Sequence, residues 1–167
     1  MSEVWCKRFV VASVIHGLGI AIWSGLFLLD GVGITLNMSR IIAGGSVGTW
    51  FTLGYLLYFI TGCVGMGVQG AIYYFVTKLS KRDLYSEKLA LSHFVLMNIA
   101  IVGATWMLAI VGFKGGTLLL EGKTAAEIHP QIVMYVSPIG YCIIVGVIAA
   151  IIGALNVLMS FAREPAD

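Results

Sequence analysis

The chain has 167 residues, 59% of them hydrophobic and 11% charged, with a mean hydropathy of +0.98. A soluble domain carries about 25% charged residues, so a water-solvated core is excluded and a single transmembrane domain, 1–167, is expected. A formal charge of +2 with no dense Lys/Arg cluster leaves no nucleic-acid surface.

Taken in order, the charge-free stretches predict four helices. Residues 9–29 carry no charge, and at 1.5 Å rise per residue such a run spans a hydrocarbon layer of about 30 Å. Lys7-Arg8 before an apolar run resembles the start of a signal peptide, but no small-x-small cleavage site follows; a retained first helix is the expectation. Residues 30–48 are rich in glycine and polar groups and include Arg40, which predicts a loop with a short interfacial segment at 41–43. The second helix is expected at 49–77, a charged turn at 78–88, the third helix at 89–113, a loop at 114–130 and the fourth helix at 131–162. Pro138 falls where it would kink the first turns of that last helix. Cys6, Cys63 and Cys142 have no C-x-x-C spacing and read as small apolar residues rather than disulfide partners or metal ligands.

Lys7, Arg8, Lys78, Lys81, Arg82, Lys88 and Arg163 fall on one side of this arrangement, and Arg40, Lys114 and Lys123 on the other. The positive-inside rule makes the first side cytoplasmic. The fold class is therefore all-α: an integral four-helix membrane bundle, N-in and C-in, in the cell membrane. Gly54, Gly62, Gly65, Gly67 and Gly70 in the second helix allow close helix approach. Packing within the chain and packing on a partner explain them equally well.

Within the spans the polar candidates are His16, Gln69, His93, Asn98 and Asn156, with no Asp, Glu, Lys or Arg near a helix centre. An ion or proton path normally retains such groups at a cost of roughly 2.5–3.5 kcal/mol each, which argues against transport. The amides read as interhelical hydrogen-bond partners. His16 and His93 each lie a few residues inside a helix that starts on the same side, which predicts equal depth. Two imidazoles at one depth are the axial set of a bis-histidine haem; the alternative is two unrelated histidines hydrogen-bonded near the interface.

Tyr-Tyr-Phe-Val-Thr-Lys at 73–78, the charged turn and Tyr85-Ser-Glu-Lys-Leu-Ala-Leu-Ser-His-Phe94 resemble the passage between the tenth and eleventh helices of subunit I of the haem–copper oxidases. Asp30-Gly-Val-Gly-Ile-Thr-Leu-Asn37 is similar to the end of that family's ninth helix, and residues 135–163 to its twelfth. The resemblance covers the chain from about residue 20 onward and implies a copy of the C-terminal helices, ninth to twelfth. The family's H-x-H haem ligands fall at Tyr55 and Leu57, and its propionate-pairing arginines at Phe113-Lys114-Gly115-Gly116, where no arginine stands. His93 matches a family histidine that is not a haem ligand.

The resemblance thus implies a non-catalytic membrane subunit beside the catalytic subunit of a respiratory terminal oxidase or related electron-transfer complex. Its partners would be the other subunits, with lipid or quinone contacts, and no haem or copper would be bound by this chain. The alternative is a small b-type cytochrome whose haem is held by His16 and His93.

Overall fold

The computed structural model describes residues 3–34 and 36–163, and among them it contains helices and turns but no strand. Thr35, inside the 30–37 segment that carries part of the family resemblance, lies outside the described residues. The helices are α1 (Glu3–Gly31), α2 (Met38–Ala43), α3 (Gly48–Leu79), α4 (Glu87–Leu120), α5 (Ala125–Ile132) and α6 (Val136–Phe161). Four segments, Val4–Gly31, Gly48–Leu79, Glu87–Leu120 and Ala125–Phe161, are long and apolar enough to cross a membrane. The protein is a multi-pass membrane protein.

The first and third spans are longer than their charge-free runs. A lysine or arginine near a helix end continues the helix and extends its charged head outward along an apolar stem, so Lys7 and Arg8 lie inside α1 and Lys114 inside α4. Lys114 Nζ reaches the carbonyl of Gln131 at 3.4 Å. The expected loop at 114–130 therefore shrinks to 121–124. Thr124 then starts α5 through a reciprocal cap in which its amide donates to Glu127 at 2.8 Å. Helix α5 leads to a single 3-10 turn, Val133–Tyr135, before α6. Pro138 accounts for that break: it has no N–H for the carbonyl of Met134, and its ring would meet that carbonyl in a regular helix.

The interfacial segment expected at 41–43 is α2. Asp30 organises its approach, accepting from the amides of Leu36 at 2.9 Å and Ser39 at 2.8 Å. The corner from α2 into α3 is so close that a Cβ on Gly48 would overlap the carbonyl of Ile41.

Helix α3 widens twice into π-turns, at Tyr58–Gly65 and Phe75–Leu79. In each, a threonine hydroxyl, Thr61 or Thr77, bonds the carbonyl four residues back, at 2.6 and 2.8 Å. That bond competes with the amide ladder, but Thr105 and Thr117 do the same in α4 without widening it. Threonine alone is therefore not the cause.

Helix α4 is the hub. Its glycines receive α2 and α3: a Cβ on Gly112 would overlap the backbone of Phe51, one on Gly115 the side chain of Val47, and one on Gly116 that of Ile41. Across from Gly54 of α3, the nearest atoms are the Ala109 amide and the Thr105 carbonyl, 2.6 Å from where a Cβ would stand. On its other side α4 carries α6, with Gly146 against Ala100 and Gly153 against the ring of His93. Gly62, Gly67 and Gly70 of α3 face His16, Ser13 and Val10 of α1. Packing within the chain thus uses Gly54, Gly62, Gly67 and Gly70, four of the five glycines expected to allow close approach. Cys63 and Cys142 lie against Gly17 and Gly103 as small apolar groups.

Helices α1, α3 and α4 cluster, and α6 lies outside them along α4. Of the residues in the most apolar stretch of the last span 17% are buried, against 28–33% in the others. The start of α1, the α3–α4 turn and the end of α6 meet at one end: Trp5 donates its indole N–H to Glu87, and Arg82 donates to the carbonyls of Phe161 and Arg163.

A methyl added at Gly54 meets backbone, whereas Gly25 has nothing within 4 Å of its Cβ position. Gly54→Ala is expected to lower stability by about 1–3 kcal/mol and Gly25→Ala to leave it within about 0.5 kcal/mol. Unfolding by titrated denaturant in mixed micelles, followed by circular dichroism, checks the difference.

Candidate functional site

Two clusters of polar side chains lie inside the spans at different levels, each centred on a histidine. The first is centred on His16, which α1 turns inward on the same stripe as Phe9 and Trp23; all three are buried. Its Nε2 lies 3.1 Å from Asn98 Oδ1 and its Nδ1 3.0 Å from the Tyr58 hydroxyl. Asn98 Nδ2 donates to the carbonyl of Phe94 at 2.7 Å, which leaves its Oδ1 as an acceptor. The Nε2 of His16 therefore donates to Asn98, and its Nδ1 pairs with the Tyr58 hydroxyl. Both ring nitrogens are engaged, and α1, α3 and α4 are joined through one side chain. Gly62 makes room, since a Cβ there would stand 3.1 Å from the imidazole.

The second cluster is centred on His93 of α4, between α1, α3 and α6. Phe9 packs on it with ring centroids 5.0 Å apart, Tyr73 places its hydroxyl 3.2 Å from Nδ1, and Gly153 faces the ring. Its Nε2 is buried and, among the described residues, has no hydrogen-bond partner. Nearby on α6, Asn156 Oδ1 accepts from the Ser86 amide at 2.9 Å, and Ser160 Oγ accepts from the Tyr85 amide at 2.8 Å. Those amides precede α4. The end of α6 thus caps the chain where it enters α4, together with Ser86, whose own hydroxyl accepts from Leu89.

The two histidines do not lie at equal depth. His16 is 13 residues from the first residue of α1 and His93 is six from that of α4. The sequence-based expectation counted from the end of the charged run, whereas α1 begins before Lys7. His93 is level with Phe9, and His16 with Asn98. At 1.5 Å per residue these pairings offset the imidazoles by roughly 8–10 Å along the bundle. They share no partner, and His16 has no nitrogen left for a metal.

The positions that the resemblance marks for haem are occupied as follows. The Tyr55 hydroxyl is 2.8 Å from Ser24 Oγ, and its ring packs edge-on against Trp23 and Phe27. Leu57 is an exposed apolar residue. The stretch 113–116, where propionate partners would be expected, is the glycine floor under Val47 and Ile41. Among the described residues no group of three or more His, Cys, Asp or Glu is gathered for a metal ion.

Tyr58 and Tyr73, the partners of the two histidines, escape a reading confined to imidazoles and amides. A signal for them exists, because a buried tyrosine hydroxyl needs a hydrogen-bond partner, and both phenols sit in an apolar helix rich in glycine. Gln69 is partly buried on α3.

Two furrows follow the seam between α1 and α4. One, of about 550 Å³, runs from Lys7 and Arg8 past Val11 and Ile15 to His16, Asn98 and Val102. The other, of about 370 Å³, continues between Ile22, Trp23, Trp106 and Ile110. The seam is open because α1 and α4 meet through long side chains, Trp5 with Phe94, His16 with Asn98 and Trp23 with Trp106, rather than through close backbones.

Comparison with protein-family models, curated proteins and solved structures gives no match for this chain.

If the His16–Tyr58 bond joins α1 to α3, a double-mutant cycle of His16→Leu and Tyr58→Phe should give a coupling of about 0.6 kcal/mol, and at most about 1.7, the range for polar pairs between membrane helices. Unfolding in bicelles measures it. Additive effects of the two changes would show that the bond contributes nothing.

Proposed function

We propose that this chain is a non-catalytic subunit of a respiratory terminal oxidase of the haem–copper type or a related electron-transfer complex. It sits in the cell membrane with both termini cytoplasmic. The observation that carries the reading is where the polar groups go: His16, Asn98, Tyr58, Tyr55 and Asn156 bond one helix to another or cap one with another. A chain that uses most of its intramembrane polar groups for its own assembly contributes shape rather than chemistry.

The residues at 73–94 that resemble the haem–copper oxidases supply the class of complex. The distribution of Lys and Arg supplies the orientation. Tyr55 and Leu57, placed where that family holds haem iron, have no iron-ligating imidazole, in keeping with a chain that binds neither haem nor copper itself. The outer faces offer partners an apolar surface, above all on α6, where Tyr141, Leu155 and Leu158 are more than half exposed. The partners in this reading are the catalytic and other subunits of the complex, with lipid and quinone at their contacts.

The test is gentle extraction with a mild detergent, an affinity tag on this chain and mass spectrometry of what accompanies it. The expected result is stoichiometric recovery of haem-bearing oxidase subunits. Recovery as a lone monodisperse chain, from membranes in which the oxidase is abundant, would overturn the reading.

A further inference from the structure

We infer that the furrow between α1 and α4 at the end carrying Lys7 and Arg8 holds one acyl chain of a membrane lipid, whose anionic phosphate headgroup sits between those two cations. The inference does not depend on the complex to which the chain belongs.

Three observations combine. First, the furrow is long and apolar: Val4, Val11, Ile15 and Val102 are exposed along it, and its volume is about 550 Å³. Second, its mouth is cationic. Lys7 and Arg8 are both exposed there, with the Arg8 guanidinium held 4.5 Å over the Trp5 ring. Glu87, the acid at the start of α4, is taken up by the Trp5 indole.

Third, the polar groups at the deep end are already paired with one another. His16 bonds Asn98 and Tyr58, and the Asn98 amide bonds the Phe94 carbonyl. A ligand with a polar ring, such as a quinone, would find there only the second amide hydrogen of Asn98, whereas a hydrocarbon chain needs no donor. Charge at the mouth, hydrocarbon along the walls and a floor whose polar groups bond mainly to one another match the parts of an anionic lipid in order. His16 is nine residues beyond Lys7 in α1, about 13 Å along the helix and close to half the hydrocarbon thickness, which is the reach of one acyl chain in one leaflet.

The full chain, purified in detergent, would be examined by native mass spectrometry with phosphatidylglycerol and phosphatidylcholine of the same acyl length. Phosphatidylglycerol should be retained preferentially. Each cation near the surface contributes about 5-fold, so Lys7→Gln with Arg8→Gln should cut that preference by roughly 30-fold. Lys123→Gln, in the loop between α4 and α5, should leave it unchanged. Val102→Trp, which fills the furrow, should lower retention of both lipids while the helical circular dichroism stays the same.

For a readout that needs no variant, a phosphatidylglycerol with a photoreactive acyl chain would be added to membranes containing the unaltered protein. Adducts should map to residues 4–15 and 94–102. Equal retention of the two lipids, a preference that survives loss of Lys7 and Arg8, or adducts confined to α6 would overturn the inference. So would displacement of the lipid by inorganic phosphate alone, or by a short-chain benzoquinone in a manner abolished by Asn98→Leu.

Discussion

A polar group inside a hydrocarbon layer has no water to fall back on, and this chain depends on how it meets that constraint. An unpartnered buried amide or hydroxyl costs several kcal/mol in such a medium, so the few polar side chains in the spans determine which helices meet. His16 is the central case. With Nε2 donating to Asn98 and Nδ1 paired with the Tyr58 hydroxyl, it satisfies its own ring and ties α1 to both α3 and α4. Ser24 with Tyr55 repeats the arrangement farther along α1. At the other side of the hub, Asn156 and Ser160 reach the amides ahead of α4 and fix the end of α6 there. Apolar side chains cannot supply this selectivity, because lipid tails are as apolar as leucine and favour no particular neighbour.

Once those bonds fix the neighbours, glycine sets how near they come. Along α4, Gly112, Gly115 and Gly116 admit Phe51, Val47 and Ile41 in succession, so α2 and the start of α3 lie against its backbone. Between α1 and α4 the spacing is wider and is filled by rings. Trp23 alone has Phe51, Tyr55, Tyr58 and Trp106 within 5.5–6.1 Å between centroids. Close contact through glycine on one side of α4 and bridging by aromatic side chains on the other leave an open seam on the membrane-facing surface. The proposed lipid site is a consequence of that asymmetry.

The helix count was legible in the sequence because lipid enforces long charge-free runs, and the short helix after Asp30 was visible as an apolar triplet among glycines. The helix ends were not legible. Lys7, Arg8 and Lys114 end the charge-free runs, while the backbone hydrogen-bond ladder continues past them, so α1 and α4 are longer than their uncharged cores. The same displacement upset the depth of the histidines: counting from Phe9 and Leu89 leaves His16 and His93 three residues apart, and counting from Glu3 and Glu87 separates them by seven. The role of the α3 glycines was undetermined from spacing alone, since a glycine stripe does not say which helix lies on it. The tyrosine partners were missed because a phenol in an apolar helix reads as bulk until burial shows that its hydroxyl needs an acceptor.

The claim that His16 and His93 join helices, and do not hold a cofactor, has one most direct test. The chain would be purified with whatever subunits accompany it, and its reduced-minus-oxidised spectrum and haem-to-protein ratio measured for the parent, for His16→Gln and for His93→Gln, alongside each variant's unfolding midpoint. The account predicts an unchanged haem ratio and a lowered midpoint, equivalent to about 0.6 kcal/mol of unfolding free energy for each interhelical bond lost. A stoichiometric b-type spectrum that disappears with either replacement would contradict it.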